Sequence, residues 1–466
     1  MSRLRFIFAF AAALCAPAWA LAQPVKPIAL HPENPHYLLF RGKPAVLVTS
    51  GEHYGTVLNR DFDYRRYLDE LHARGLNLTR TFSGTYREVP SSFGIVENTL
   101  APVAADRFEC PWARSDTPGA GDGGNKFDLA KWNPAYFARL KDFLGYAAER
   151  EIVVELVLFC VLYDDGLWKV NPMNPANNVN GIGPLKRLEP YTLKEPKLTT
   201  FQGAFVRKIV AELKDFDNVY YEVCNEQYFG GVTPEWVART AKTIADAEAD
   251  FPGKHLIAEN IANGKAKIAK PTPHVSIFNF HYASPPDTVP MNYGLGKVLA
   301  DDETGFKGTG DFWYRREGWE FLLSGGAIYS SLDYSFTCSR PDGTFKVTKS
   351  PGGGGVELRK QLAILKGFLE GFDFIHSKPN DGQVKANRGT VRALVQEGRA
   401  YAIYYHGPSP AEIAVQLPAG KYRAEWINTR SGAIDKSEDV QHDGGGRTLV
   451  SPAFKEDIAL RVKRRG

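Results

Sequence analysis

The sequence predicts an α/β barrel followed by a small antiparallel β-sandwich. Eight short apolar runs alternate with longer amphipathic segments between Pro44 and Phe372. Several of the runs are unbroken Val/Ile/Leu/aromatic stretches, and the helical period disappears after about Pro379. Unbroken apolar runs mark parallel strands covered on both faces, whereas a half-buried strand alternates polar with apolar residues.

The strand-like runs are Ala45–Thr49, Leu76–Phe82, Ile152–Phe159, Val219–Cys224, His255–Ala258, Val275–Phe280, Lys297–Ala300 and Ala327–Asp333. Between them, Asp61–Ala73 places Tyr64, Tyr67, Leu68 and Leu71 on one helical face. Pro134–Arg150, Phe201–Leu213, Pro234–Ala249, Trp313–Leu323 and Glu357–Phe372 repeat that pattern. Eight strands with crossover helices over roughly 330 residues fit a TIM (β/α) barrel, a doubly wound open sheet being the competitor. The connections Ser83–Trp132 and Asp164–Lys197 are long and rich in Gly, Pro and Asp, and long loops on one face of a rigid scaffold build binding sites. From about residue 380, Val391–Gln396, Ala400–Tyr405, Glu412–Gln416, Tyr422–Ile427 and Ile458–Val462 read as short strands between turn signals. The expected division is a signal peptide over 1–22, the barrel over 23–378 and the sandwich over 379–466.

Composition narrows the function classes. Hydrophobic residues make up 43% and charged residues 24% of 466 positions, with net charge +4, so neither disorder nor a nucleic-acid surface is expected. Arg3 and Arg5, the apolar run Phe6–Ala16 and the small-residue pattern Ala20-Leu21-Ala22 read as a secretory signal, with Ala18-Trp19-Ala20 as an alternative cleavage site. The mature chain is expected to be secreted or periplasmic, with no membrane insertion after signal removal. Cys15 leaves with the signal. Cys110, Cys160, Cys224 and Cys338 lack metal-ligand spacing. A Cys110–Cys338 bridge is open in an oxidising compartment, while Cys160 and Cys224, in or beside apolar strands, are read as buried free thiols.

Chemistry is concentrated at two strand ends. The fourth apolar run closes in Asn225-Glu226, and the seventh leads into Asp301-Asp302-Glu303-Thr304-Gly305. In a closed barrel these strands face each other across the lumen. Two carboxyls about 5–5.5 Å apart suit retaining glycoside hydrolysis, one attacking the anomeric carbon while the other moves the proton. A lone strand-end Glu is ordinarily a solvated or salt-bridged residue; the pairing across the barrel is what selects these two. Strand alternation is expected to turn Asp302 away from the direction Glu303 faces. Gly119-Ala120-Gly121-Asp122-Gly123-Gly124 fits a dinucleotide-loop pattern but follows no strand, and there is no G-x-S-x-G, H-E-x-x-H or Walker sequence.

At these residues the sequence resembles the clan of retaining glycoside hydrolases with TIM barrels that includes cellulase-type enzymes. Asn225-Glu226 matches the clan's Asn-Glu acid/base pair and Glu303 its nucleophile. Arg80 is similar to its second-strand arginine that supports the nucleophile, and His281-Tyr282 to its pair near the nucleophile. Within the clan the sequence is most similar to the apiosidase-like group. The entry Phe40-Arg41-Gly42-Lys43-Pro44 and the run Trp426-Ile427-Asn428-Thr429-Arg430-Ser431-Gly432 carry that likeness. The second run lies in a C-terminal β-domain that bears a collagen-binding label in that group, though nothing in these residues points to collagen. The clan's eighth-strand Trp is replaced by Tyr329, Asp333 and Tyr334.

The resemblance implies a glycosidase with Glu226 and Glu303 as catalytic residues, a carbohydrate substrate, no cofactor, no metal and no nucleic-acid partner. Substrate contacts are expected from Arg80, Asn225, His281, Tyr282, His53, Trp168 and Asp333, with Glu52, Tyr54 and Trp112 as weaker candidates. The alternatives are a non-catalytic carbohydrate-binding protein on the same scaffold, or an inverting glycosidase whose carboxyls would stand about 6.5–9.5 Å apart.

Overall fold

The structure, a computed structural model, describes residues 26–465. The expected signal segment and Cys15 lie outside the described residues. Eight parallel strands surround one lumen: Leu47–Gly51, Leu78–Phe82, Val153–Cys160, Val219–Asn225, Ile257–Asn263, Ile277–His281, Val298–Glu303 and Ile328–Leu332. Each expected run overlaps one of them, most strands running on past the expected end and the fifth sharing only Ile257 and Ala258 with its run. The first strand pairs with the eighth, and the ladder continues in order to the second. Asn77 closes the remaining seam between first and second strands. Its backbone N–H donates to Val48 O (3.3 Å), its Oδ1 accepts from Val48 N (2.9 Å) and its Nδ2 donates to Val46 O (2.9 Å). A side-chain amide here supplies the donor and acceptor that a neighbouring strand would otherwise provide.

Burial explains why the strands read as unbroken apolar runs. Every residue of Val153–Cys160 and of Val219–Asn225 is buried, on one side against the lumen and on the other against helices. Those helices are Tyr64–Ala73, Pro134–Ala148, Pro196–Leu213, Pro234–Ala247, Asp311–Leu323 and Val356–Glu370. Asn133, Glu195 and Thr233 cap three of them with a side-chain oxygen, each followed by Pro at the first helical position, where the missing N–H costs nothing. A small antiparallel sheet, Ala29–Leu30, Leu38–Phe40 and Lys43–Ala45, sits at the amino-terminal ends of the strands. There Ile28 N–H donates to Asp217 O (2.9 Å), just ahead of the fourth strand. The opposite end is left to the long loops.

The first long connection is not irregular throughout. It contains a hairpin, Trp112–Pro118 with Asn125–Trp132, which sequence reasoning reads as loop. Its residues are largely part-exposed and polar, so neither strand shows an apolar run.

The C-terminal region forms a six-stranded antiparallel sheet and a three-stranded one over Lys378–Arg464. Four strands lie beyond the five expected: Lys378–Pro379 and Val384–Ala386 are only two and three residues long, while Ile434–His442 and Gly445–Val450 are mostly exposed and lack an apolar face. The barrel and this region are joined by a buried polar knot. Arg315, on the helix after the seventh strand, donates to both oxygens of Asp457 (2.9 and 2.6 Å) and to Gln361 Oε1 (2.6 Å). Tyr404 and Thr429 hydroxyls complete the carboxylate, each at 2.9 Å, and Trp319 stacks on Tyr404 with ring centroids 5.3 Å apart. The four cysteines Cys110, Cys160, Cys224 and Cys338 are free thiols.

Removing one partner of a buried, hydrogen-bonded ion pair strands the other's charge, at a cost of roughly 3–5 kcal/mol. Asp457→Ala is therefore expected to lower stability by about that amount in denaturant titrations, while Arg315→Met with Asp457→Leu recovers most of it. Equal losses in the single and double variants would count against this account.

Candidate active site

The fourth strand ends at Asn225, and the chain turns at once. Glu226 has φ 50° and ψ 39°, a left-handed conformation that L-residues adopt only when surroundings hold it. Its N–H donates to Asn260 Oδ1 (2.8 Å), which fixes that turn. The side chain is buried at the barrel mouth: Tyr163 hydroxyl donates to Oε2, while Tyr228 hydroxyl (3.1 Å) and His281 Nδ1 (3.1 Å) face Oε1.

The seventh strand departs from regular alternation. Its pairing with the sixth runs Phe280 to Asp301 and then His281 to Glu303, skipping Asp302. This bulge puts two consecutive side chains on the lumen side. Asp302 Oδ2 lies 3.5 Å from Arg80 Nε, and Glu303 Oε2 accepts from Arg80 Nη1 at 3.0 Å. The expectation that Asp302 turns away from Glu303's direction is thus corrected, and Asp301 is the residue that faces outward, within 3.4 Å of Ala283 N. Tyr282 (φ 53°) donates its hydroxyl to Glu303 Oε1 at 3.0 Å. The result is a compact group: one oxygen of Glu226, one of Glu303 and a ring nitrogen of His281 all lie within 4.8 Å of one another.

Beneath the mouth, Arg80 is fully buried and organises a second tier. Its Nη2 donates to Asn225 Oδ1 (2.7 Å) and Glu222 Oε2 (2.6 Å), and its Nε to the same Glu222 oxygen (2.9 Å). Oxygens of Glu155, Glu222 and Asp302 lie within 4.8 Å of one another. Asn279 Nδ2 bridges Glu155 Oε1 (2.9 Å) and Asp302 Oδ2 (2.6 Å), and Tyr220 hydroxyl donates to Glu155 Oε2 (2.9 Å). This tier and the Glu226/His281/Glu303 group are the two acid-rich clusters among the described residues compact enough to hold a cation. In the lower tier the guanidinium already supplies the positive charge.

Burial sets the protonation of these groups. It pushes the Glu222 carboxyl up to about 8 despite Arg80, and Asp302 well above the carboxylate range, with Glu155 adding to that shift. In both cases burial disfavours the charged form while the Arg80 guanidinium opposes the shift. Burial also raises Glu226, opposed by the hydroxyls of Tyr163 and Tyr228. It lowers His281 to about 3 and His53 to about 4, so both imidazoles are neutral. His281 Nε2 and Asp302 Oδ1 are 3.4 Å apart without hydrogen-bond alignment, consistent with a neutral ring in contact rather than an ion pair.

Above the two carboxyls opens a cavity of ≈ 370 Å³, within the roughly 300–1,000 Å³ of small-molecule sites. Asn225, Glu226, Tyr282, Glu303 and His53 line it; Arg80 and His281 support its floor from below. Both ring nitrogens of His53 are buried without a partner. Two sequence candidates lie elsewhere. Trp168, in the short helix Asp165–Val170, is buried in loop packing and is not part of the wall. Asp333 is wholly buried, with Oδ2 accepting from Arg359 Nη1 (2.6 Å) and Ser50 (3.1 Å) and Oδ1 from Ser335 N (3.0 Å), so its oxygens are already committed. Trp112 packs on Phe205, and Glu52 braces a loop by accepting from Thr99 hydroxyl (2.6 Å) and Gly55 N (3.0 Å).

Among the site residues that escaped sequence reasoning, Tyr163 and Glu88 line the cavity and Tyr228 donates to Glu226 from beside it. Tyr163 stands just past the third strand and Tyr228 two residues after Glu226; an aromatic close behind a strand end was the available signal for both. Glu88, on the long second connection, accepts from Tyr86 hydroxyl (3.0 Å) and Asn98 Nδ2 (2.5 Å) and faces the cavity. Burial pushes its carboxyl up to about 7. No local signal marks it, because only the folding of that loop brings it to the mouth.

No family model and no curated protein sequence matches the chain. Solved structures do. A glycoside hydrolase family 5 protein from Bacteroides vulgatus ATCC 8482 aligns over 94% of this chain and 93% of its own, with 14% identity and TM-score 0.62. A second protein of that strain, provisionally named a glycoside hydrolase, aligns over 95% and 83% with 15% identity and TM-score 0.66. A further structure named only glycoside hydrolase aligns over 94% and 97% with 14% identity and TM-score 0.62. At these identities the likeness establishes a shared fold, a TIM barrel with a C-terminal β-region.

Glu52, like Glu88, is pushed up to about 7 by burial. The folded state then binds more protons than the unfolded chain between about pH 4.5 and 7, so each carboxyl withdraws stability as pH rises through that window, by up to a few kcal/mol. Glu88→Gln and Glu52→Gln are each expected to flatten the fall in unfolding free energy between pH 5 and pH 7, measured by urea titration. An unchanged slope in both variants would refute the shifted values.

Proposed function

We propose that this protein is a retaining glycoside hydrolase acting on a carbohydrate substrate, with Glu303 as nucleophile and Glu226 as acid/base. The observation that carries the proposal is the meeting of these two carboxyls, from opposite strands of the barrel, inside a group 4.8 Å across. That spacing suits direct attack by one carboxylate and falls short of the about 6.5–9.5 Å of an inverting pair.

The residues around each carboxyl suit its role. Glu303 is held by Arg80 Nη1 on one oxygen and Tyr282 hydroxyl on the other, which orients the carboxyl for attack. Glu226 is raised by burial, which retains the proton a general acid must deliver. In the first half-reaction a Glu303 oxygen bonds to the anomeric carbon, the glycosidic C–O bond breaks, and the Glu226 proton passes to the departing oxygen. In the second, Glu226 takes a proton from water, the water oxygen bonds to the anomeric carbon, and the ester to Glu303 breaks. Neutral His281, 3.1 Å from Glu226 Oε1 and 3.7 Å from Glu303 Oε1, separates the two carboxyls without adding charge.

We place the enzyme outside the cytoplasm on the signal-like N-terminus, and none of the described helices is long and apolar enough to cross a membrane.

On a panel of aryl glycosides, Glu303→Ala is expected to abolish turnover, with partial rescue by azide as a glycosyl azide. Glu226→Ala should lose roughly 10²–10⁴-fold on poor leaving groups and far less on very good ones. NMR of the first-formed product should show retained anomeric configuration. Wild-type rates in either variant, or an inverted product, would overturn the assignment. Tyr163→Phe removes a donor that favours the Glu226 carboxylate, so the alkaline limb of the pH–rate profile should move to higher pH. A shift to lower pH, or none, would separate that limb from Glu226.

A further inference from the structure

The cavity carries acid without a matching cation. Glu88, Glu226 and Glu303 all line it, and among the described residues that do so none is Lys or Arg. Arg80 lies beneath, buried, with its guanidinium donating to Glu222, Asn225 and Glu303. Arg87, next in the chain to Glu88, points away to Asp122 Oδ2 (3.2 Å) and Pro102 O (3.0 Å). His53 on the wall is neutral, so it and Asn263 offer hydrogen bonds without charge.

Two of these carboxyls have roles in the proposed reaction, and Glu88 has none. It is 4% exposed, and its oxygens meet neutral donors, Tyr86 hydroxyl on Oε1 (3.0 Å) and Asn98 Nδ2 on Oε2 (2.5 Å). Its own N–H donates to Leu100 O (2.8 Å), and Asn98 Oδ1 accepts from Leu100 N (2.9 Å), so the loop holds the carboxyl in place. Burial raises it, and the charge of Glu303 adds to the shift. A carboxylate oxygen has two acceptor sites, so each oxygen keeps one beyond its loop donor. We infer that Glu88 reads the sugar ring bound over the catalytic pair, accepting from the hydroxyls of an uncharged glycone and turning away glycones that bear a carboxylate or sulfate. This rests on the proposed glycosidase reading and narrows its substrate class. A hydroxyl supplies the donor that a buried carboxylate still accepts. A further negative group finds no counter-charge on the wall. It is repelled, or Glu88 must first take a proton, and both weaken binding.

The test uses the full chain and 4-nitrophenyl glycosides, whose leaving group asks little of the acid. Assays run at about pH 8, above the Glu88 value of about 7. Neutral hexosides and pentosides are set beside the glucuronide, the galacturonide and sulfated hexosides. Every acidic member is expected to fall on the order of tenfold or more below the best neutral one in kcat/KM. That ranking tests the charge limit without any variant. Glu88→Gln should raise KM for the best neutral substrate on the order of tenfold, with kcat little changed. It should also raise acidic relative to neutral kcat/KM for sugars of one configuration, which loss of a loop brace alone would not do. An acidic glycoside within roughly tenfold of the best neutral one, or KM unmoved in Glu88→Gln, would overturn this inference alone. Absence of turnover on every glycoside would overturn it together with the glycosidase reading.

Discussion

A single guanidinium sits at the centre of the lumen, and the mouth of the barrel is arranged around it. Arg80 touches Glu303, Asn225 and Glu222 directly and lies within 3.8 Å of Glu155 and 3.5 Å of Asp302. It spans the second, fourth and seventh strands, so the positions of Asn225 and Glu303 are coupled through one planar group. Arginine suits this role because its fork of five donors is rigid and keeps its charge when buried. A buried cation of this kind is tolerable only with its partners in place, so the same contacts that satisfy Arg80 also hold the strand ends in register.

The surplus of acid around Arg80 has a physical consequence. Glu155, Glu222, Asp302 and Glu303 outnumber the one cation, and burial pushes the Glu222 and Asp302 carboxyls up against the pull of Arg80. The lower tier is a hydrogen-bonded network, tied together by Asn279 and Tyr220. Neutral His281 and His53 fit the same economy, since each is too deeply buried to carry a proton of its own.

The β-region is bound to the barrel by the same kind of contact. Arg315 and Asp457 are buried and fully hydrogen-bonded, with Trp319 and Tyr404 stacked alongside. The contact lies on the helix after the seventh strand, so the element that follows the Glu303 strand is anchored from outside. That leaves the long second and third connections as the parts free to differ in shape, and they supply Glu88, Phe93 and Tyr163 to the cavity.

The sequence by itself determined the barrel strands, because two-sided burial demands unbroken apolar runs and the chain displays eight of them. It also marked Glu226, Glu303, Arg80 and the His281-Tyr282 pair as strand-end residues, since strand ends converge at one mouth whatever the loops do. It concealed the exposed hairpin at Trp112–Trp132 and the exposed strands Ile434–His442 and Gly445–Val450, whose polar residues carry no apolar pattern. Only the tertiary structure decided the rest. The bulge at Asp302 broke the alternation that local reasoning relies on, Arg359 drew Asp333 into an ion pair, and loop packing enclosed Trp168. Glu88, Tyr163 and Phe229 became wall residues through the path of connecting chain, which depends on contacts distant in sequence and leaves no periodic trace along it.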